Sequence, residues 1–336
     1  MFVPVVDQQN KPLMPTSPAR ARRWVKSGKA TPFWSFGIWC VRLNIEPSAR
    51  NIQDVAIGID PGSKREGFTV KSKDKTFINV QSKAVTWVKD KVDARRNLRK
   101  SRRYRKAPCR QPRWSNRRSG KPTLAPSTKA RWQLKLRILS RLLRLYPIQF
   151  AVIEDVSAST KDSKRKAHSF QMVMQGKLWF YDQIRKLDLV LMLAQGYETS
   201  QKRKAIGLSK TSNKMAEKFS AHCVDSWVLA SMAVGGVKPD NESLHLVEPM
   251  QKHYRKLHVQ NFAKGGVRKN YGSTRSMGFE RGSIVKHPTY GVCLIGGTSK
   301  QRISLHAMNG KRLTQKAEPE CVKFLAFNSY NYRRGF

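Results

Sequence analysis

Acidic residues are what this sequence has least of for its size. Its 336 residues include 22 Asp plus Glu against 66 Lys plus Arg, a formal net charge of +44. From Ala94 to Ile153 there is no Asp or Glu at all. So much like charge on one small chain repels itself unless a polyanion neutralises it, which argues against an ordinary metabolic enzyme. Long apolar runs are missing too. No stretch of 18 apolar residues exists to span a bilayer, so no membrane partner is expected. The opening Met1-Phe2-Val3-Pro4-Val5-Val6-Asp7 has neither the basic n-region nor the apolar h-region of a secretory signal. Cysteine is sparse: five residues, at 40, 109, 223, 293 and 321, with the closest pair 28 apart. That spacing encodes no C-x-x-C zinc knuckle or ribbon and suggests no disulfide framework. The expectation is an intracellular protein whose partner is nucleic acid.

What is present refines that expectation. Eight Trp, 14 Phe and 9 Tyr are too many for a disordered basic tail, so there is a core under the positive surface. A charge of +44 suits a guide–target hybrid of about 20 bp, on the order of 40 phosphates, better than a module making about 6–10 phosphate contacts. A ribosomal-type protein coated by RNA would be equally basic. The charge is concentrated: 19 Lys and Arg fall between Arg95 and Arg144. Residues 87–106 contain no Gly or Pro and read as one helix whose apolar stripe is only Val88, Val92 and Leu98. Arg95, Arg96, Arg99, Arg102, Arg103, Arg105 and Lys106 stud it, with no acid beyond Asp93 to pair at i,i+4, so phosphates are the expected partners. Residues 107–127 carry four prolines and a glycine among Arg110, Arg113, Arg117 and Arg118 and read as a basic linker. A helix follows over 129–145, with Trp132, Leu136, Leu139 and Leu143 on its apolar face and Lys135 off it.

In so basic a chain, a carboxylate at the end of an apolar strand stands out. Val55-Ala56-Ile57-Gly58-Ile59-Asp60 runs into a Pro-Gly turn, with Gly67-Phe68-Thr69-Val70 as hairpin partner. Ile148-Gln149-Phe150-Ala151-Val152-Ile153-Glu154-Asp155 is a second such strand. Residues 221–231 read as a helix that places His222 and Asp225 on one face. Two strand-end carboxylates and one helix carboxylate are what a two-metal phosphodiesterase requires. Hard Mg²⁺ takes oxygen ligands and clamps the attacking and leaving oxygens of an in-line displacement. A nearby His orients or deprotonates the attacking water. Each acid also has a plainer reading as a turn, cap or first-turn residue.

These stretches resemble the three split motifs of a RuvC-type nuclease with an RNase H-like fold. The whole arrangement is similar to the transposon-encoded IscB/IsrB proteins, relatives of the CRISPR type II effector nucleases. Lys11-Pro12-Leu13-Met14-Pro15 matches the PLMP signature that opens that family, and Arg102-Arg103-Tyr104-Arg105-Lys106 resembles its RRxRR bridge-helix motif, with Lys106 in place of the last Arg. The stretch 257–268, with Lys264 and Arg268, looks like the family's segment after the nuclease core. Only 67 residues and one His, His168, separate Glu154 from His222, so no HNH insert fits. The missing Cys pairs argue against TnpB, and the resemblance is to the HNH-lacking IsrB branch.

The resemblance implies an α/β chain with a split RuvC (RNase H-like) core. Its modules are a small N-terminal PLMP module (1–53), RuvC-I (54–83), an Arg-rich bridge helix (84–106), the basic linker (107–127), RuvC-II and RuvC-III (128–250) and a C-terminal part (251–336). That last part joins a basic loop to a β-rich module that reads a target-adjacent motif. Short strands are expected there near 282–285, 290–297, 302–306 and 322–327. Asp60, Glu154 and Asp225 would hold two Mg²⁺ ions, or Mn²⁺, with His222 beside them. Glu154 is preferred to its neighbour Asp155 by alignment with the family motif. The implied partners are a large structured omega-type guide RNA and a double-stranded DNA target, bound by a monomeric protein in the prokaryotic cytoplasm and at the nucleoid. Lys264 and Arg268 join the arginines above as nucleic-acid contacts. The expected activity is nicking of the displaced strand. An RNP scaffold with a degenerate nuclease core and an RNA-independent junction resolvase are the alternatives. In the N-terminal module, Trp24, Phe33, Trp34, Phe36 and Trp39 are expected in the core.

Overall fold

The structure is a computed structural model. It describes residues 2–47, 50, 52–105, 124–155, 164–249, 260–261, 266–267, 275–299, 301–308, 310–327 and 330–334. The sequence-predicted contacts Lys106, Arg110, Arg113, Arg117, Arg118, Lys264 and Arg268 lie outside the described residues. No described helix is long and apolar enough to cross a membrane. The chain divides into two compact units, Met1–Asp93 with Arg113–Glu248 and Tyr332–Phe336, and Ala94–Pro112 with Pro249–Asn331.

The first unit opens with β1 (Val3–Val6), β2 (Pro12–Thr16), α1 (Pro18–Lys26), β3 (Ala30–Ser35) and β4 (Ile38–Leu43), whose strands form a sheet in the order β2-β1-β4-β3. The PLMP stretch is thus an edge strand. Its prolines sit where no ladder donor is required, while Leu13 enters the core with Val3, Val5 and Val41. Trp24 and Trp39 pack against that core and Phe36 is buried. Trp34 departs from the expectation: it is 72% exposed, because β3 is the other edge and presents this face to solvent.

Next come β5 (Ala56–Asp60), β6 (Arg65–Lys71) and β7 (Thr76–Lys83), an antiparallel meander. After α2 (Val88–Tyr104) and α3 (Pro126–Leu143) follow β8 (Phe150–Glu154), α4 (Lys164–Ile184), β9 (Val190–Ala194), α5 (Gly196–Ala205), α6 (Phe219–Val234) and β10 (Leu244–Pro249). Strands β8 and β9 run parallel to β5 on its far side, and β10 runs parallel to β7. The sheet order is β20-β10-β7-β6-β5-β8-β9, where β20 is Tyr330–Arg334, so the end of the chain returns to the core sheet. This is a mixed α/β core, the fold class expected from the sequence. Every residue of β5 and β6 is buried, as befits central strands covered on both faces.

Helix α6 covers that sheet. It is buried on nearly every side, so it reads as a core helix rather than an amphipathic one. Its backbone lies against β5 and β6 because both strands offer glycine there. A Cβ at Gly58 would stand 1.8 Å from Ser226 O, and one at Gly67 2.4 Å from His222 O. Hydrogen bonds then set the helix rotation: Ser226 Oγ to Thr69 Oγ1 at 2.8 Å, and Trp227 Nε1 to Thr76 Oγ1 at 2.9 Å.

Helix α3 begins at Pro126, and its buried face is rotated from the expected one. Lys135, expected outside, is buried and donates to Glu66 Oε1 at 2.8 Å. Glu66 is wholly buried on β6, and an unpaired charge there would cost several kcal/mol on the order of that for any buried ion. The pairing therefore overrides the apolar pattern. Helix α2, by contrast, has no buried residue. Arg95, Arg96, Arg99, Arg102 and Arg103 are exposed on it, and Arg105 is exposed in the turn that follows.

The second unit carries the short pairs β11 (Gln260–Asn261) with β12 (Gly266–Val267) and β13 (Arg275–Ser276) with β14 (Phe279–Glu280). Then come β15 (Ile284–His287), β16 (Gly291–Ser299), β17 (Arg302–His306), β18 (Arg312–Ala317) and β19 (Lys323–Ala326). These five form an antiparallel sheet in the order β18-β17-β16-β15-β19 around Val285, Cys293, Ile295, Ile303 and Leu305. Strand β18 had no counterpart in the sequence reading. It is a polar edge strand and so shows no apolar alternation.

The glycine contacts make a direct prediction. Gly58→Ala should destabilise the chain by about 3 kcal/mol or more, beyond usual overpacking because the clash is with helix backbone. Gly297→Ala, which meets nothing within 4 Å, should be far milder. Urea denaturation of the two variants measures the contrast, and equal midpoints would contradict it.

Candidate active site

Asp60 and Glu154 are the last residues of two parallel, hydrogen-bonded strands. The register pairs Ile59 with Ile153, so the two acids emerge side by side at the carboxyl ends of β5 and β8, where open α/β sheets place their ligands. Asp225 and His222 reach the same edge from α6. His222 Nδ1 lies 2.9 Å from Asp60 Oδ2, and its Nε2 lies 3.1 Å from the Lys214 carbonyl. Both ring nitrogens face acceptors, so an imidazolium donates at both and a neutral ring at one. The structure thus gathers the four sequence-predicted residues into one neighbourhood.

Glu154 feels the other acids directly. Burial, then the charges of Asp60 and Asp225, push its carboxyl from the ordinary 4.5 up to about 7, and Lys210 pulls the other way. Gly196, the first residue of α5, leaves room for it: a Cβ there would stand 3.0 Å from Glu154 Oε1. Asp155 points elsewhere, as alternation along a strand end requires. It accepts from Lys177 Nζ at 2.6 Å, Tyr181 Oη at 2.9 Å and Gln195 Nε2 at 3.2 Å. The Lys177 bond leads the interactions that hold its carboxyl below the usual range.

Three residues that the sequence reading passed over complete the site. Asp225 Oδ1 accepts from Arg203 Nη1 at 2.5 Å, and Asp225 Oδ2 accepts from Lys210 Nζ. Glu66, paired with Lys135, lies close enough for Asp60 and His222 to act on its charge. The two cations fall within 23 residues before Asp225 in sequence, yet in so basic a chain nothing in their spacing marks them.

The donor set suits a hard divalent cation: three carboxylates, all oxygen, two of them raising the pKa of the third. Among the described residues, however, no three His, Cys, Asp or Glu side chains are drawn together tightly enough to hold a metal ion as they stand. Cations already occupy Asp225. When bound, a divalent ion would supply Lewis-acid polarisation and an activated water. The chain's own part is to hold Asp60 against His222 and Asp225 against Arg203.

The pattern of the family described as RRXRR protein matches residues 3–172, half of the chain. The chain belongs to the RRXRR family. That family is found in IscB- and IsrB-like proteins. No curated protein matches the chain. Among solved structures, this RRXRR protein is similar to Thermus thermophilus RuvC in complex with a Holliday junction substrate, at 13% identity and TM-score 0.29, over 53% of this chain and 90% of that one. It is also similar to Ydc2, the yeast mitochondrial Holliday junction resolvase, at 12% identity and TM-score 0.26, over 52% and 75%.

The raised Glu154 pKa sets a pH dependence for the RRXRR chain free of metal. Between about pH 4.5 and 7 the folded protein keeps a proton that the unfolded chain releases, so stability falls as pH rises through that window. Glu154→Gln should remove this component and leave the variant more stable than wild type at pH 8, but not at pH 4. Melting curves in chelator across that range test it; an unchanged pH slope would mean that Glu154 ionises normally.

Proposed function

We propose that the chain is an RNA-guided DNA endonuclease of the IsrB kind, which nicks the displaced strand of its target through one Mg²⁺-dependent RuvC site. The observation that carries the reading is the meeting of Asp60, Glu154, Asp225 and His222, from β5, β8 and α6, at one sheet edge. RRXRR membership supports it, as does a helix with no buried residue that carries a row of exposed arginines. In this reading guide pairing supplies sequence specificity, while the protein holds the hybrid through its backbone. In the same reading, the one constellation of acids among the described residues makes one cut. The displaced strand enters the cleft and the target strand stays within the hybrid.

The scaffold reading has one observation on its side: Asp225 is satisfied by Arg203 and Lys210, as in a structural ion-pair network. Nicking assays separate the two. Asp60→Ala, Glu154→Ala and Asp225→Ala should each reduce nicking of a supercoiled target plasmid to background while RNA and DNA binding persist. Wild type should convert that plasmid to open circle and no further. Asp60→Ala that cuts normally would remove the site assignment. Strand-specific end labels lost together from both strands would remove the nickase reading alone.

The binding surface is tested separately. Replacing Arg95, Arg99 and Arg103 by Gln should weaken binding without regard to sequence. It should also flatten the slope of log K against log salt by about 2–3, at about 0.7–0.9 per lost phosphate contact. An unchanged slope would make α2 a solvated face.

A further inference from the structure

The two cations on Asp225 are not equivalent. Arg203 belongs to α5; its side chain is 16% exposed and also lies 3.4 Å from Ser200 Oγ, one turn back on the same helix. Lys210 stands in the connection between α5 and α6, outside any helix or strand, and its side chain is 31% exposed. Besides Asp225, the charges that act on its ammonium are Asp60 and Glu154. A single cation therefore stands among all three acids of the site, on a flexible four-carbon stem with solvent beside it. It stands beside the acids that a divalent ion would need, with a charge of the same sign. The planar guanidinium of Arg203 is anchored at both ends and is suited to stay.

We propose that Lys210 is a resident placeholder for a divalent cation. It holds Asp225 Oδ2 in the metal-free protein and releases it when the ion binds, while Arg203 keeps Oδ1 and so keeps the carboxylate aimed. Arg203 is then a positioning residue and Lys210 a competitor. The proposal rests on the nuclease reading and adds regulation to that site. Asp225 stays paired until the ion arrives. The arrangement leaves both oxygens of that buried carboxylate paired whenever metal is scarce.

The test uses the full-length chain, stripped by chelation and titrated with Mn²⁺ alone, with free ion read by electron paramagnetic resonance. Lys210→Met should bind Mn²⁺ about tenfold more tightly than wild type, the change expected when a competent fraction of about one tenth becomes the whole. Arg203→Met should bind it more weakly. A Lys210→Met chain that binds no more tightly than wild type overturns the placeholder and leaves the metal site standing. Should that variant fail to fold, the wild-type chain decides. Acylation of Lys210, read by peptide mass spectrometry, should rise when Mn²⁺ is added, and equal labelling with and without the ion overturns the proposal. Mn²⁺ binding that Asp225→Asn leaves untouched would instead remove the metal site, and the nuclease reading with it.

Discussion

The close approach of α6 to the central strands is the constraint on which the rest of the first unit depends. Helix backbone lies where side chains at positions 58 and 67 would otherwise be, and only glycine admits it. Once the helix is down, its buried faces close the core, and the bonds from Ser226 and Trp227 set its rotation. That rotation turns Asp225 and His222 toward the strand ends carrying Asp60 and Glu154. The geometry of the site is thus a consequence of how thin the sheet is at two positions.

Electrostatics then divides the chain into two regimes. Over the surface the charge is overwhelmingly positive, but beyond about 8–10 Å such charges are largely screened in physiological salt. Within the core, local partners decide. Glu66 takes Lys135 from α3, Asp155 takes Lys177 from α4, and Asp225 takes Arg203 and Lys210. The first two tie helices to the sheet, and the third ties α5 and the connection after it to α6. Buried ion pairs contribute little net stability, yet breaking one leaves a costly lone charge, so they select one arrangement of the elements. Glu154 is buried beside other acids, and burial first, then the charges of Asp60 and Asp225, pushes its carboxyl up to about 7.

A division of labour follows. The chemistry-bearing acids sit on rigid, fully covered strands and a core helix. The arginines of α2 sit on a helix with nothing buried, exposed to solvent. A reaction needs fixed distances between a few oxygens; binding a polyanion needs only many charges along a line.

Much of this was legible in the sequence, and the limits have a common cause. An apolar run ending in Asp60 or Glu154, a glycine-free arginine helix and the deeply apolar 221–231 segment are local patterns, and local patterns report what an element does on its own. Hence the strands, the exposed α2 and the sharing of a face by His222 and Asp225 were readable. The choice of Glu154 over Asp155 came from family alignment, and its physical basis, the three partners that claim Asp155, is seen only in the fold. The burial of Lys135, the exposure of Trp34, the polar edge strand β18 and the return of β20 to the core sheet were not readable. Nor were the cations on Asp225. A periodicity shows which face of a segment is apolar, but the neighbour that meets that face comes from elsewhere in the chain. Glu66 and Lys135 are 69 residues apart in sequence and 2.8 Å apart in space, and only the tertiary fold, by burying one charge, decides where the other must be.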